Sequence, residues 1–462
     1  MPGIFQSLDI ARRAIWASRL GMDVTSHNIA NVNTEGYSRQ RVSFRTANPL
    51  QLPQGQLGLG VGVGDVIRVR NRMLDQQYRQ TSFTLGNAQI KESVYSQIEA
   101  IIQEPSENAL GSLMNEFFEG FSDLAADPEN ATIRDTVRQK AIALVDSFQG
   151  KTNQLNSMKQ SLENDLRATV DEVNEIIHQI GILNRQIVSA EAGGGSANDM
   201  RDRRDLLLDR LSEYIKISYS ENTRGAVSVT AEGVNLVSGT KVNELSVEKI
   251  GDGNDTKLQI KSSNGKAISV RYGKLGGLLE MRNEVVPGIQ NDLDTLAQTL
   301  ITEVNRIHAS GHTLPEGDPP TTRTGIQFFS GNNAATISLS PDILDSVNNI
   351  AVSADGTPGN GEVALSIANL RTQKVLAGRT QTLDDYYTTM VHSLGVEIER
   401  AQNTRESQEL LKDQIMNQRE AESGVSLDEE MTHLIQYQRS FEAAAKVVKV
   451  VDEMMATVIN MI

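Results

Sequence analysis

Cysteine is absent from this sequence, and aromatic residues are scarce at 4%. Without cysteine the chain has no disulfide framework, no cysteine-ligated zinc site and no thiol catalyst. The sequence also lacks any run of about 18 apolar residues, the length that a membrane-spanning helix needs. Its N-terminus shows neither the basic segment nor the apolar core of a cleaved signal peptide. The sequence therefore predicts no membrane span and no cleaved leader, and the lack of cysteine suits a protein that leaves the cell unfolded.

A basic excess is missing as well, since the 462 residues carry a net charge of −15. Proteins that bind nucleic acid through its phosphates need such an excess to release counterions, so this class of partner is excluded. The length allows roughly two to four domains. A hydrophobic content of 39% is low for a compact enzyme and suits long, solvated helices.

The two ends of the chain carry the same pattern, an apolar seam with the heptad spacing of coiled-coil helices. Residues 1–45 have a net charge of +3 and residues 425–462 one of −3, so opposite charge favours their association. A lone terminal helix is marginally stable in water. We therefore predict that the two terminal helices pair and assemble through these seams. The predicted seam residues are Leu8, Ile15, Met22 and Ile29 at one end, and Leu427, Leu434, Phe441, Val448 and Met455 at the other.

Helical patterns dominate the interior, with one β-rich insertion. A heptad row from Leu155 to Ile187 and a second helix after a glycine-rich bend predict a helical hairpin. Alternating glycines and apolar residues predict a β-ribbon near residues 58–70, and frequent turn signals predict a small antiparallel β-domain over 215–274. The predicted fold is mainly α with a smaller inserted β-domain. It comprises a terminal coiled-coil assembly domain (1–35 plus 425–462), a helical body built as a long antiparallel bundle (36–214 plus 275–424), and the β-domain.

Two segments look superficially like ligand-binding loops. The glycines at positions 58, 60, 62 and 64 precede strand-like residues, whereas a phosphate-binding loop needs a helix directly after its glycines. The segment Asp252–Asp255 lacks the spacing and the terminal glutamate of a calcium loop. We interpret the first segment as a β-hairpin or extended ribbon and the second as a hairpin turn.

Histidine raises the alternative of a metal-dependent enzyme. His308 and His312 are four residues apart, as metal ligands on one face of a helix can be. However, Gly311 lies between them, and neither a third ligand nor a general base accompanies them. We predict no catalytic residue, no cofactor and no metal. A coiled-coil sensor or adhesin is a second alternative, but such proteins usually carry a membrane span or a cleaved signal.

The first helix pattern is followed by SHNIANVNTEGYSRQRV, which resembles the N-terminal signature of bacterial flagellar rod, hook and hook-associated proteins. The chain ends with SGVSLDEEMTHLIQYQRSFEAAAKVVKVVDEMMATVINMI, which resembles the C-terminal signature of the same family. Within that family, GYSRQ at position 36 and FFEGFSDLAADPENATIR in the interior resemble the hook-associated protein 1 members. We predict that the motif residues Asn28, Asn31, Asn33, Gly36 and Tyr37 serve helix capping and backbone geometry between the first helix and the body.

The resemblance implies a structural subunit at the junction of hook and filament, with a hook or distal rod protein of the same family as the alternative. It implies terminal helices that form the inner wall of a tube, a helical body around them and a β-domain that projects outward. It further implies a secreted, extracellular protein that the flagellar type III apparatus exports unfolded. The implied partners are further copies of the chain, the hook protein, hook-associated protein 3 and an export chaperone at Leu427–Ile462, without nucleic acid or membrane insertion.

Overall fold

The computed structural model describes residues 3–52, 55–102, 109–251, 256–316 and 321–460. Over these ranges the chain forms a first helix, a short β-ribbon, a body of long helices that carries small β-sheets, and two long final helices. The predicted fold, mainly α with a smaller antiparallel β-part, is confirmed. The segment 252–255, considered above as a calcium loop, lies outside the described residues.

Helix α1 (Gly3–Ala30) leads through the asparagine-rich turn into a β-ribbon. Strands β1 (Gln40–Thr46) and β4 (Val61–Arg68) pair antiparallel and pack on α1. Between them, β2 (Leu50–Leu52) and β3 (Gly55–Leu57) form a second antiparallel pair that extends the ribbon away from the helix. The glycine-rich segment thus forms extended structure.

The first part of the body consists of α2 (Arg72–Ile102), α3 (Leu110–Ala126), α4 (Ala131–Glu191) and α5 (Asn198–Tyr214). Helix α4 begins at Asn130 because the side-chain oxygen of Asn130 accepts hydrogen bonds from the N–H groups of Thr132 and Ile133. Its heptad row is buried along most of the helix, and the phenylalanines of α3 form the aromatic centre of the same core. The long helix is therefore the spine on which the body packs.

Two antiparallel sheets follow in the segment 215–274. The first contains β5 (Ile217–Glu221), β6 (Val227–Ala231), β7 (Val234–Ser238) and β8 (Lys241–Val242) in sequential order. The second contains β9 (Leu245–Ile250), β10 (Lys257–Ser262) and β11 (Ala267–Ile268). Both sheets lie against α4, whose Asn184 and Asn174 bond the main chain of Val227 and Leu245.

Helix α6 (Gly273–Glu280) continues through one π-helical turn (Met281–Val285) into α7 (Val286–His308). Pro287, at which the sequence predicts a kink, has no N–H group to donate to the preceding turn, so the regular hydrogen-bond ladder is interrupted there. The wider turn directs Asn283 toward the second sheet. Its side chain bonds both the N–H and the C=O of Leu258, at 2.9 and 2.8 Å.

After α7 the described residues form short elements, namely β12 (Phe329–Ser330), β13 (Ser338–Leu339), α8 (Pro341–Asp345) and α9 (Glu362–Ala368). Helix α10 (Leu383–Ser423) then starts at a capping box made by Thr382 and Asp385 and packs along α2. Helix α11 (Leu427–Asn460) ends the described chain and packs along α1. The two ends of the chain therefore meet in one helical pair.

Candidate functional site

The pair formed by α1 and α11 is antiparallel. Asn28, near the end of α1, bonds Glu430 in the first turn of α11. Nearer the start of α1 and further along α11, Gly21 lies against the ring of Tyr437. Residues that come earlier in α1 therefore face residues that come later in α11.

Small side chains make up the buried side of α1. A Cβ on Gly21 would lie 2.9 Å from the ring of Tyr437, so the two helices approach closely at this point. On α11 the inward residues repeat with heptad spacing, as the sequence predicts. The buried small residues of α1 are Ala11, Ala17, Ser18, Gly21 and Thr25, and the buried or partly buried row of α11 includes Glu430, Leu434, Tyr437, Phe441, Ala444, Val448, Val451 and Met455.

The predicted seam and the observed contact face coincide on α11 more closely than on α1. Leu434, Phe441, Val448 and Met455 all lie on the inward row. Leu427 is 48% exposed, because in this antiparallel register its counterpart falls after Ala30, where α1 has ended. The predicted α1 residues Leu8, Ile15, Met22 and Ile29 are only partly buried, because the helix turns the neighbouring row of small residues inward. The large residues of the predicted seam therefore flank the row of small residues that makes the closest contact.

Large apolar side chains remain exposed on the outside of this pair. On α1, Phe5 and Trp16 are 66% and 58% exposed. Exposed apolar residues also follow α11 along its whole length, with exposed fractions between 45% and 69%. These are Met431, Ile435, Val447, Val450, Met454, Val458 and Ile459. Apolar surface of this extent marks an interaction site.

A buried side-chain amide connects the pair to the ribbon. Asn28 is 1% exposed, and its nitrogen donates to the carbonyl oxygen of Gln40 at 2.9 Å and to the carboxylate of Glu430 at 3.0 Å. Its oxygen accepts from the Tyr37 hydroxyl at 2.7 Å and from the Gln40 N–H at 3.0 Å. Both donors and both acceptor positions of the amide are therefore used. One residue joins the end of α1, the turn, β1 and the start of α11.

The other motif residues shape the turn. The side chain of Asn31 donates to the His27 carbonyl at 2.9 Å and so caps the end of α1. Gly36 has a φ of +77°, and a Cβ there would lie 3.1 Å from Leu206. Burial, followed by the negative charges of Asp199 and Asp202, raises the pKa of the Tyr37 hydroxyl, which stays a hydrogen-bond donor. Asn33 is exposed in the same turn.

Below the turn, α5 presents a row of aspartates to a group of arginines. Arg68 bonds Asp202 and Asp205, both at 2.8 Å, and Arg79 bonds Asp209 at 2.6 Å. Two further arginines complete the network: Arg70 binds Asp75 at 2.7 Å, and Arg419 from α10 binds Asp209 at 2.9 Å. The network thus connects the ribbon, α2, α5 and α10.

The titration of these aspartates differs within the row. Burial opposes ionisation of Asp205, but the charges of Arg70, Arg68 and Arg79 outweigh it and lower its pKa. At Asp202 burial dominates and raises the pKa, although Arg68 acts against it. The sequence analysis missed this network. The available signal was the spacing of Asp199, Asp202, Asp205 and Asp209, which places four carboxylates on one face of α5.

A cleft of about 700 Å³ opens beside the turn, between α5 and the end of α10. Two oppositely charged pairs lie within its lining, Arg419 with Asp209 and Arg210 with Glu35 at 3.0 Å. These pairs neutralise part of the charge of the cleft.

His308, considered above as a metal ligand, is fully buried at the end of α7. Its Nδ1 lies 2.7 Å from the Ile326 carbonyl, and its Nε2 accepts from the Ala351 N–H at 2.8 Å. Burial lowers its pKa to about 4. Both ring nitrogens are engaged with main chain, and His312 lies beyond the helix, where it contacts Thr322. The pair forms no ligand set.

A search of the described part of the chain finds no group of three or more histidine, aspartate or glutamate side chains placed to hold a metal ion. Within the same residues no helix is long and apolar enough to cross a membrane.

The two ends of the chain, which pair in the structure, also match family models of known proteins. Residues 8–37 match the family model for flagella basal body rod proteins, and residues 416–461 match the model for the C-terminal part of flagellar basal body rod FlgEFG proteins. These two matches cover the α1 and α11 segments. The chain is therefore an axial protein of the bacterial flagellum.

The interior identifies the member of that class. Residues 95–329 match the model "Flagellar hook-associated protein FlgK helical domain". The chain is 30% identical to flagellar hook-associated protein 1 of Bacillus subtilis, over 100% of this chain and 99% of the relative. It is 24% identical to the protein of the same name from Salmonella typhimurium, over 96% and 97% of the two chains. The chain belongs to the flagellar hook-associated protein 1 family, whose members are structural proteins of the hook–filament junction.

A solved structure shares the fold. It is the flagellar hook junction protein FlgK from Burkholderia pseudomallei, with a TM-score of 0.64 at 16% identity over 77% of this chain and 100% of that chain.

Proposed function

We propose that this chain assembles into the hook–filament junction through the outer faces of its α1–α11 pair. The observation that carries the proposal is the exposed apolar surface of α1 and α11, which has no cover within the described chain. Full burial of a valine or methionine side chain contributes about 1.5–3 kcal/mol, and these side chains are about half exposed, so each would gain roughly half of that against a neighbouring copy. A lattice of copies would therefore stabilise helices that are weakly held in the free subunit.

Each part of the chain is assigned its own role in the assembly. Residues 1–35 and 425–462 form the assembly domain, residues 36–214 and 275–424 the body, and residues 215–274 the outward β-part. The buried amide of Asn28 holds the assembly domain to the body, and the arginine–aspartate network holds the ribbon, α2, α5 and α10 of the body together beside this joint. The contacts between copies run head to tail, so that they build a layer of a helical lattice.

We further propose that the chain is secreted unfolded and folds at the extracellular tip of the hook. Its neighbours are then the hook protein and hook-associated protein 3, and an export chaperone binds Leu427–Ile462 beforehand. The marginal stability expected for isolated terminal helices supports this order of events. A purely structural role, without catalysis, agrees with the family to which the chain belongs.

A charge placed on the outer face tests the assembly proposal. In a strain that lacks the chromosomal gene, Val450→Glu should leave the purified subunit folded but should abolish filament retention, because a carboxylate would be buried at the contact. Thr432→Glu, on the same helix and exposed in the row that already carries the charges of Arg439 and Glu453, is the matched control. Normal filaments with Val450→Glu would overturn the proposal. Immunogold label along the whole hook, instead of at its tip, would contradict the location.

A further inference from the structure

The outer half of the β-ribbon is an exposed and uncharged surface. From Ala47 to Gly64 the sequence contains no charged residue, although 22% of the chain is charged. All described side chains at positions 48–51 and 55–58 are exposed, including Leu50 at 44% and Leu57 at 41%. The alternation that buries one face of a ribbon is thus missing here.

Such a ribbon is poorly stabilised by itself. A two-stranded ribbon without a covering layer is at best marginally stable in water. Among the described strands, β2 pairs with β3 alone, so each of them keeps one free edge of N–H and C=O groups. Exposed edges are usually protected by lysine or another charge, and this segment has none. A partner that covers the ribbon would resolve both problems.

The charge of the chain favours a second copy as that partner. Copies that each carry −15 repel one another, so they can touch most easily where both surfaces are uncharged. The ribbon also continues directly from β1 and β4, which pack on α1. It therefore borders the proposed assembly face and would reach past it toward a neighbour.

A matching surface lies in the groove between α2 and α10. Every residue that lines it is uncharged, among them Gln77, Gln80, Gln414 and Gln418. One leucine lines the groove, Leu411, with 42% of its surface exposed. Glutamine amides can both donate to and accept from the free edge of a strand, and Leu411 offers apolar contact for Leu50 or Leu57.

We propose that the ribbon tip of one copy, Leu50–Leu52 and Gly55–Leu57, docks into the α2–α10 groove of a neighbouring copy. The contact is heterologous, because ribbon and groove are different surfaces of the same chain. It adds a further contact between neighbouring copies in the lattice. The inference rests on the proposed function, since it presupposes that copies assemble.

Charge substitutions test the need for the ribbon. Leu57→Glu should lower the fraction of cells that retain filaments by about tenfold or more, because the carboxylate would lose its hydration in the contact. Ile250→Glu is the matched control, since Ile250 is equally exposed at 45% on β9, far from the ribbon in sequence. Secreted protein in the medium and the melting temperature of the purified subunit show whether each variant is exported and folded. Wild-type filament retention with Leu57→Glu would overturn the proposal.

Cysteine cross-linking tests the occupant, and the absence of native cysteine makes the experiment clean. Two differently tagged copies, one with Gln56→Cys and one with Gln414→Cys, are expressed together and oxidised in isolated hook–filament junctions. We expect a mixed disulfide dimer. Gln56→Cys with Gln160→Cys, an exposed position on α4, should give none. Equal cross-linking to both positions, or cross-linking of Gln56→Cys to another flagellar component instead, would refute the groove of a second copy as the site.

The two levels of the proposal fail in different ways. If Val450→Glu abolishes filament retention while Leu57→Glu does not, the assembly function stands and the ribbon contact is wrong. If both variants retain filaments, the proposed assembly face itself is wrong.

Discussion

Replacement of Asn28 by alanine should release the two ends of the chain from the body. The substitution removes all four hydrogen bonds of the amide at once. The N–H and C=O of Gln40 and the carboxylate of Glu430 then lose a partner. Gln40 is 8% and Glu430 3% exposed, so water reaches them poorly. The α1 end, β1 and the α11 start would no longer be joined at a common point.

The expected loss of stability follows from the groups left behind. A buried hydrogen bond contributes about 1 kcal/mol net, and a buried polar group left unpaired costs about 1–3 kcal/mol. Relaxation of the site and entry of water into the small cavity recover part of this. We expect the local free energy of opening at the joint to fall by about 3–5 kcal/mol, which is a hundredfold or larger rise in the opening equilibrium.

Native-state hydrogen exchange of the free subunit measures this quantity directly. Peptides from residues 20–45 and 427–440 should lose protection, while peptides from the middle of α4 should not change. Asn33→Ala is the control, because Asn33 lies exposed in the same turn and should change protection by less than tenfold. Equal protection of wild type and Asn28→Ala at both ends would refute the reasoning.

Further predictions concern the helix contact, the buried histidine and the tryptophan. Gly21→Ala should destabilise the α1–α11 pair by about 1–2 kcal/mol in urea unfolding, because its Cβ would press on Tyr437. Gly395→Ala, in an open position of α10, should instead stabilise slightly; equal effects would contradict the close contact. His308 is neutral when folded, so its contribution is complete above pH 6.5 and should fall by about 3 kcal/mol as the pH drops to 4. His308→Gln should make the melting temperature depend less on pH over this range. An unchanged pH dependence would refute the assignment of this effect to His308. Trp16, the single tryptophan, is exposed in the subunit, so its fluorescence should shift to shorter wavelength on assembly; an unshifted spectrum would exclude it from the contact.

Periodic apolar patterns were sufficient to predict the fold class. The heptad rows gave α4 and α11, and the glycine and turn signals gave the ribbon and the sheets. On α1 the large residues of the predicted seam are only partly buried, because close helix contact is decided by small residues such as Gly21. A single sequence does not show which row of a helix is approached by a tyrosine from 416 residues away. The division of the β-strands into two sheets follows from contacts with α4, which local turn signals do not contain.

The arginine–aspartate network could not be predicted from periodic patterns, for a different reason. Four aspartates on one face of α5 are equally typical of a solvent-exposed surface, because charged residues at such spacing are usually exposed. Only the tertiary fold brings Arg68, Arg79 and Arg419 to them from three other elements. A buried ion pair adds little net stability but is costly to break on one side. The network is thus better suited to fixing how the ribbon, α2, α5 and α10 are oriented to one another than to stabilising any of them.

Several asparagines on helices dock a neighbouring segment in the same way, and Asn28 differs from the others by one additional contact. Mid-helix asparagine is usually unfavourable, because its amide competes with the local backbone. Here the amide acts as a peptide group and bonds both the N–H and the C=O of one distant residue, which docks a strand or extended segment on a helix. This happens at Asn174 with Leu245, Asn184 with Val227, Asn283 with Leu258, Asn305 with Phe329, and Asn28 with Gln40.

The first four of these amides fasten segments within the body and the β-part, each through main chain that lies fewer than a hundred residues away. Asn28 alone among the five also bonds a residue from the opposite end of the chain, Glu430. Its contact to Gln40 can form as soon as the N-terminal segment folds, whereas its contact to Glu430 requires that the last helix has arrived. If the subunit folds on assembly, as proposed, the fourth bond of Asn28 closes last. The signature residue then serves as the latch of the assembly domain, which explains a buried asparagine at a place where a leucine would pack more easily.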